Sequence, residues 1–293
     1  MINAAMIKEL REVTGAGMLD CKKALQETNG NMDEAVKWLR EKGIMKAAKK
    51  EARIAAEGLY KVAVEGNFAT VFEVNSETDF VAKNQKFIDL VDQIAKAIIA
   101  GKAKNDEEAF ECEYEGTKVK DLVVNAVATI GEKITLRRVN SYEKADNQVF
   151  GAYTHMNGKI VVLSVLEGGN EEVAKDVCMH VAAMNPKYID RTCVDPEFLA
   201  SETEILKQET LNEGKPANIV DKIVAGKVQK MLKGICLVDQ PFVKNEDVTV
   251  GDYVKNNNAT IKYYIRLGVG EGIEKRKDDF AAEVMAMAGV DKK

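Results

Sequence analysis

The sequence predicts an α+β protein whose core contains two related halves, each with one antiparallel sheet. Two hairpin signals, Gly66-Asn67 and Asn157-Gly158, stand between β-rich runs, and both pairs favour tight antiparallel turns. Apolar stripes at helical spacing follow each hairpin. Because the order hairpin, helix, helix, strand occurs twice, we expect a structural duplication, although the two halves share little sequence.

Residues 1–56 should form a separate unit of three short helices and a linker. The first helix has Val13 on its apolar face, and Asn31 can cap the third helix. Gly43 is expected to end that helix, and a lysine- and alanine-rich helical linker, residues 44–56, should follow. About 40 helical residues are only marginally stable alone, and such units usually serve as binding modules.

Residues 57–143 should form the first half of the core. Thr117 is expected to cap its second helix, and Gly131 to stop that helix. The first helix carries a continuous apolar stripe, which is typical of a helix packed on a sheet. Strands are expected at residues 59–64, 68–74 and 134–139, and the first helix at residues 85–100.

The second half, residues 144–187 and 234–269, is interrupted by an insertion, residues 188–233. Two helical stretches in this insertion, 196–212 and 217–232, predict an antiparallel helical hairpin that is polar enough to project from the body. It would act as a rigid spacer, or as a surface for self-association or partner contact. Residues 270–293 begin with a glycine-rich hinge and should contain a last helix at 278–288.

Composition narrows the function. The net charge of −5 argues against direct nucleic-acid binding, and no apolar run is long enough to span a membrane, so we expect a cytoplasmic protein. Five widely spaced cysteines favour neither disulfides nor a zinc site. The sequence lacks phosphate-loop and dinucleotide-binding motifs, and it shows no recognisable pair of catalytic nucleophile and base. We therefore expect no cofactor, no metal site and no covalent chemistry.

The most informative segment is residues 75–84, which follow a strand and precede an amphipathic helix. Phe80 is a large apolar side chain in this polar connection, beside Asp79. Either Phe80 packs back onto its own domain, or it is held out for another molecule. Asp79 is read as a turn-forming acid, His180 as a packed histidine, and His155 as an exposed residue at a hairpin tip.

Five collinear motifs extend over nearly the whole chain. They are Val-Thr-Gly-Ala-Gly-Met-Leu-Asp-Cys-Lys-Lys-Ala-Leu (13–25), Asn-Ser-Glu-Thr-Asp-Phe-Val-Ala-Lys-Asn (75–84), Met-His-Val-Ala-Ala (179–183), Asp-Gln-Pro-Phe-Val (239–243) and Val-Gly-Glu-Gly-Ile-Glu-Lys (269–275). In these motifs the chain specifically resembles the elongation factor Ts family, the guanine-nucleotide exchange factors of elongation factor Tu (EF-Tu). A small departure is Asp239, where the family often has glycine.

The resemblance implies an architecture that agrees with the predicted units. Residues 1–56 would be a ubiquitin-associated-like (UBA-like) domain with its linker. Residues 57–143 would be core subdomain N, and residues 144–187 with 234–269 core subdomain C. Residues 188–233 would be a coiled-coil insertion, and 270–293 a C-terminal helical module.

The resemblance also implies site residues and partners. The segment Thr78, Asp79, Phe80 and Val81 would enter EF-Tu and disturb its Mg²⁺ site. Further contacts would come from Leu19, Asp20, Lys22, Lys23, His155 and Phe280. The partner would be EF-Tu in its GDP-bound and nucleotide-free states, in a one-to-one or two-to-two complex. A peptide-binding adaptor built on the UBA-like unit is the alternative function.

Overall fold

The computed structural model describes residues 2–274. Three helices form the N-terminal unit, α1 (Ala4–Thr14), α2 (Met18–Glu27) and α3 (Met32–Lys50). Their small core is made by Leu10, Cys21, Ala24, Leu25 and Ala35. The side chain of Asn31 caps α3 as predicted, since it accepts a hydrogen bond from the Glu34 amide.

Two predictions for this unit are wrong. Val13 is exposed, although its spacing places it on the apolar face of α1. Gly43 does not end α3, which continues for seven further residues to Lys50. Gly43 is buried against a neighbouring helix, where an added Cβ would lie 3.3 Å from the Ala128 side chain. The glycine therefore permits close helix packing and is not a stop signal.

The first half of the core contains a three-stranded antiparallel sheet in the order β1-β2-β5. The helices α5 and α7 pack on one face of this sheet. A one-turn helix, α4, lies between β2 and α5. The bounds are β1 (Glu57–Glu65), β2 (Phe68–Ser76), α4 (Asp79–Ala82), α5 (Gln85–Gly101), α6 (Asp106–Glu111), β3 (Glu113–Tyr114), β4 (Thr117–Lys118), α7 (Val119–Ile130) and β5 (Thr135–Glu143).

Thr117 does not cap α7, contrary to the prediction. It lies in β4, where it pairs with Tyr114 across a small hairpin turn at Glu115 and Gly116. Both turn residues have positive φ, which reverses the chain before the helix begins. The N-cap residue is Lys118, whose side chain makes no capping hydrogen bond. Gly131 does end the helix, in the left-handed conformation.

The second half repeats the order of elements, with a sheet in the order β6-β7-β10. In both sheets the second strand of the hairpin is central. The helices α8 and α11 cover one face of this sheet. The bounds are β6 (Gln148–His155), β7 (Ile160–Gly168), α8 (Glu171–Met184), β8 (Pro241–Phe242), β9 (Asn245–Thr249), α11 (Val250–Asn256) and β10 (Ala259–Gly268).

The two sheets pack face to face. Tyr60 and Val71 of the first sheet share a buried cluster with Phe150 and Leu163 of the second. The outer faces carry the helices, so the core has four layers: helix, sheet, sheet, helix. All nine residues of β2 are consequently buried, because this strand is covered on both faces.

The insertion folds as two helices, α9 (Pro196–Asn212) and α10 (Ala217–Ile235). An apolar cluster that includes Phe198 and Leu232 holds their base together. Further out, Ile205, Leu211 and Ile219 are exposed. Whether this helical hairpin is a spacer or an association surface stays a prediction.

The described chain ends at Glu274. The predicted last helix at 278–288 and the predicted contact residue Phe280 lie outside the described residues. Among the helices of residues 2–274, none has both the length and the apolar character that crossing a membrane requires.

His180 is fully buried, as predicted for a packed histidine. Its Nδ1 accepts a hydrogen bond from the Val243 amide at 3.1 Å, so the ring proton resides on Nε2 and is donated to Gln240 Oε1 at 2.8 Å. The ring thereby ties α8 to the segment that contains the Asp-Gln-Pro-Phe-Val motif. Burial lowers the pKa of His180, because the charged imidazolium would lose its hydration.

This depressed pKa predicts a pH-dependent stability. The unfolded chain binds a proton at His180 below its ordinary pKa of 6.5, while the folded chain resists protonation. We expect the contribution of His180 to the free energy of unfolding to be full above pH 6.5 and to be lost progressively as the pH falls below 6.5, toward the lowered pKa of the folded state. Urea unfolding at several pH values measures this, and NMR titration of the His180 ring reads its pKa directly.

The wild-type protein is the reference for this experiment. His180→Gln should flatten the pH dependence below pH 6.5 and lower the free energy of unfolding at every pH. A His180 ring that titrates at or above its ordinary pKa would contradict the assignment.

Candidate functional site

Phe80 is held out from the protein on the one-turn helix α4. The expected plain turn is in fact helical, because the Thr78 hydroxyl accepts a hydrogen bond from the Val81 amide and caps it. Ala82 is the buried residue of α4, and two helical positions correspond to about 200° of rotation. Phe80 therefore faces away from the body, and 81% of its surface is exposed.

Two carboxylates fasten the start of this helix. Glu132 Oε2 accepts hydrogen bonds from the backbone amides of Glu77 and Thr78, both at 3.0 Å, and Oε1 accepts the Thr78 hydroxyl proton at 2.7 Å. In return, Glu77 Oε1 accepts the Lys133 amide at 2.6 Å. Glu132 was not among the predicted site residues, since it lies 54 positions from Thr78 and has no local signal.

Asp79 sits in the first turn of α4 and forms an ion pair with Lys83, with Oδ2 and Nζ 2.6 Å apart. The hydrogen bond from Lys83 lowers the pKa of the Asp79 carboxyl. Over residues 2–274, no group of three or more His, Cys, Asp or Glu side chains could hold a metal ion. Asp79 is the first residue of α4, so it begins a helical turn and not the plain turn expected from the sequence.

A groove of about 830 Å³ lies beside α4. Asp79 and Lys83 line it, and so do Thr154 and Met156, the neighbours of His155. His155 is exposed, and its Nδ1 lies 3.3 Å from the Tyr153 hydroxyl. The fold thus brings the two core segments that carry predicted site residues to one groove.

The approach of the hairpin tip to the first sheet depends on Gly158. This residue has a φ of +92°, and an added Cβ would lie 2.9 Å from the Tyr60 carbonyl oxygen. A larger residue would have to displace backbone, so the groove keeps its width only with glycine here.

The predicted N-terminal contact residues lie elsewhere, and none of them lines the groove. Leu19 is 84% exposed, next to the exposed Met18, and Lys22 and Lys23 are exposed as well. Asp20 pairs with Lys46 of α3, with Oδ2 and Nζ 2.9 Å apart. Apolar and charged side chains are thus both exposed in this part of the N-terminal unit.

Comparison with known families gives the class of protein. Residues 77–271, about two thirds of the chain, match the family model for elongation factor TS, so the protein is a translation elongation factor. The match includes α4, Glu132 and His155. The chain belongs to the elongation factor Ts family, whose members promote nucleotide exchange and act on EF-Tu without catalysing covalent chemistry.

Proposed function

We propose that this protein binds EF-Tu·GDP, disturbs its Mg²⁺ site through the segment Thr78–Val81, and so promotes GDP release before GTP binds. The observation that carries the proposal is the exposure of Phe80 on a helix whose start is fastened by side chains. A folded protein gains little by exposing a phenylalanine, whereas a buried aromatic side chain is an effective anchor in a partner's pocket.

The physical mechanism depends on phosphate charge. In the partner, Mg²⁺ bridges the nucleotide phosphates to the protein and neutralises their charge. An inserted Phe80 ring would displace the groups that support the ion, which leaves phosphate charge uncompensated and weakens GDP binding. This chain need not touch the nucleotide, because a preference for nucleotide-free partner is sufficient.

Thermodynamic linkage sets the size of the effect. If this protein weakens GDP binding by a given factor, GDP weakens binding of this protein by the same factor. Each tenfold of coupling corresponds to about 1.4 kcal/mol. Desolvation of one aromatic ring in the partner pocket can supply about 2 kcal/mol or more.

The remaining predicted contacts extend this interface. We propose that His155 meets the partner beside the groove, and that Leu19, Asp20, Lys22 and Lys23 bind it from the N-terminal unit. Phe280, outside the described residues, is proposed as a further contact. The five modules predicted from the sequence and a one-to-one or two-to-two complex belong to the same proposal.

Calorimetric titration of the full chain into EF-Tu tests the proposal. We expect tight binding to nucleotide-free EF-Tu and progressively weaker apparent binding as GDP is added. Binding that is insensitive to GDP would overturn the exchange mechanism. The exposed Leu19 surface favours the adaptor as the second candidate, and capture of unrelated peptides regardless of GDP would support it.

A further inference from the structure

We propose that Glu132 is a positioning residue that pre-orders α4 and holds Phe80 in its outward direction. This inference rests on the proposed function of Phe80, and it adds a residue that contacts neither the nucleotide nor the Phe80 ring. It concerns the reciprocal contacts between two loops, residues 77–78 after β2 and residues 131–133 after α7.

The contacts of Glu132 address the start of α4. Its carboxylate accepts two backbone amides and one hydroxyl proton from Glu77 and Thr78. The amides of Glu77 and Thr78 lie just before the first turn of α4. The N–H groups at the start of a helix find no acceptor within the helix, so they need one from elsewhere. The same hydroxyl accepts the Val81 amide. Glu132 therefore orients the capping group of α4 as well as the backbone before it.

A helix of four residues cannot maintain itself. Nucleation of a helical turn is unfavourable, and isolated helices shorter than about 12 residues are marginal in water. Without external hydrogen bonds the segment Asp79–Ala82 would sample many conformations, and Phe80 would have to be ordered on binding. Ordering these residues on binding costs backbone conformational entropy, so pre-ordering by Glu132 favours the inserted state.

The negative charge of Glu132 is unfavourable for the adjacent end of α7, so α7 itself gives no reason for a glutamate here. Glu132 directly follows Gly131, the C-cap of α7, and a negative charge is destabilising near the negative end of a helix dipole. Cations of the N-terminal unit contact both loops: Lys50 donates to the Gly131 carbonyl beside Glu132, and Arg53 pairs with Glu77 at 3.2 Å.

Loop 131–133 also joins the N-terminal unit to α4. The Lys133 ammonium donates to the Glu51 carbonyl at the end of α3, while the Lys133 amide donates to Glu77. A continuous set of contacts therefore runs from α3 through loop 131–133 to Thr78. The two units on which we propose partner contacts are held in one arrangement by these side chains.

The test compares Glu132→Ala with Glu246→Ala, a control at an exposed glutamate of β9. Hydrogen exchange followed by NMR reads the amides of Glu77 and Thr78 in the free protein, and release of fluorescent GDP from EF-Tu reads the function. We expect Glu132→Ala to lose amide protection and to slow GDP release about tenfold. Glu246→Ala should change neither, and Glu132→Gln, which keeps an acceptor oxygen, should be intermediate.

A double-variant cycle separates positioning from general destabilisation. In the Phe80→Ala background, Glu132→Ala should have no further effect on GDP release, because the residue acts through the ring. Independent, additive effects would overturn the proposal, as would unchanged amide protection in Glu132→Ala. If Phe80→Ala by itself leaves GDP release unchanged, both the proposed function of Phe80 and the positioning role of Glu132 fail. If Phe80→Ala slows release but Glu132→Ala does not, only the positioning role of Glu132 fails.

Discussion

Replacing Phe80 by alanine is expected to slow catalysed GDP release from EF-Tu about 30-fold while leaving the fold intact. The ring is 81% exposed, so its removal takes few contacts from its own domain, and the free energy of unfolding should change by about 0.5 kcal/mol or less. In the complex the ring would be desolvated, and truncating such an anchor costs about 2 kcal/mol, or 30-fold. Stopped-flow fluorescence of labelled GDP measures the rate.

Val64→Ala is the matched control for this experiment. Val64 is also exposed, and it lies on β1 opposite Ala69, whereas α4 follows the other end of the sheet, where Glu57 pairs with Ser76. The release rate should be that of the wild-type protein. A Phe80→Ala protein that accelerates GDP release as fast as the wild type would refute the insertion mechanism, and loss of its fold would show that Phe80 serves its own domain.

The largest stability effect is expected for Arg137→Ala, at about 3 kcal/mol. Glu73 lies in the central strand β2 and is fully buried between the two sheets. Its Oε1 accepts hydrogen bonds from the Asn75 side chain at 2.8 Å and the Gly270 amide at 2.7 Å. Its Oε2 lies 2.8 Å from Arg137 Nη2, and within residues 2–274 no donor is aligned to hydrogen-bond that oxygen.

Removing Arg137 would leave a buried carboxylate without its countercharge. It would also remove the hydrogen bond from Arg137 Nη2 to the Glu271 carbonyl, which ties the segment after β10 to the first sheet. Breaking a buried ion pair on one side is costly because the remaining charge is neither hydrated nor paired. Urea unfolding of the full chain, with circular dichroism as the signal, measures the change.

Two comparisons test the cause of this destabilisation. Arg137→Ala combined with Glu73→Gln should be more stable than Arg137→Ala alone, because the uncompensated charge is gone. Arg191→Ala, which breaks the exposed pair with Asp239, should alter stability far less. A double variant that is no more stable than the single one would mean that lost packing, not charge, explains the effect.

The sequence was sufficient wherever the signal is local. The pairs Gly66-Asn67 and Asn157-Gly158 stand between observed hairpin strands, and α9 begins and ends at the predicted residues, 196 and 212. In these segments the turn residues and the spacing of apolar residues favour the same local structure that the tertiary contacts favour. From the sequence, Phe80 could be either packed on its own domain or exposed. The choice depends on which face of α4 packs against the rest of the protein.

Predictions failed where a distant contact overrides the local preference. Gly43 is a residue type that often ends helices, but here it lies inside α3, where it packs closely against the side chain of Ala128. Thr117 is a residue type that often caps the start of a helix, but its pairing with Tyr114 places it in a strand. Both errors arise because glycine and threonine are suited to several roles, and neighbours remote in sequence select one.

By itself, the sequence determined the α+β class, the repeated order of elements and the segment 75–84 as the place to look, because these depend on local periodicity and motifs. Only the tertiary structure decided that the two sheets face each other, that Phe80 points outward, and that Glu132 fastens α4. These features depend on atoms brought together from positions more than 50 residues apart, and hydrogen bonds across such distances leave no periodic pattern in the chain.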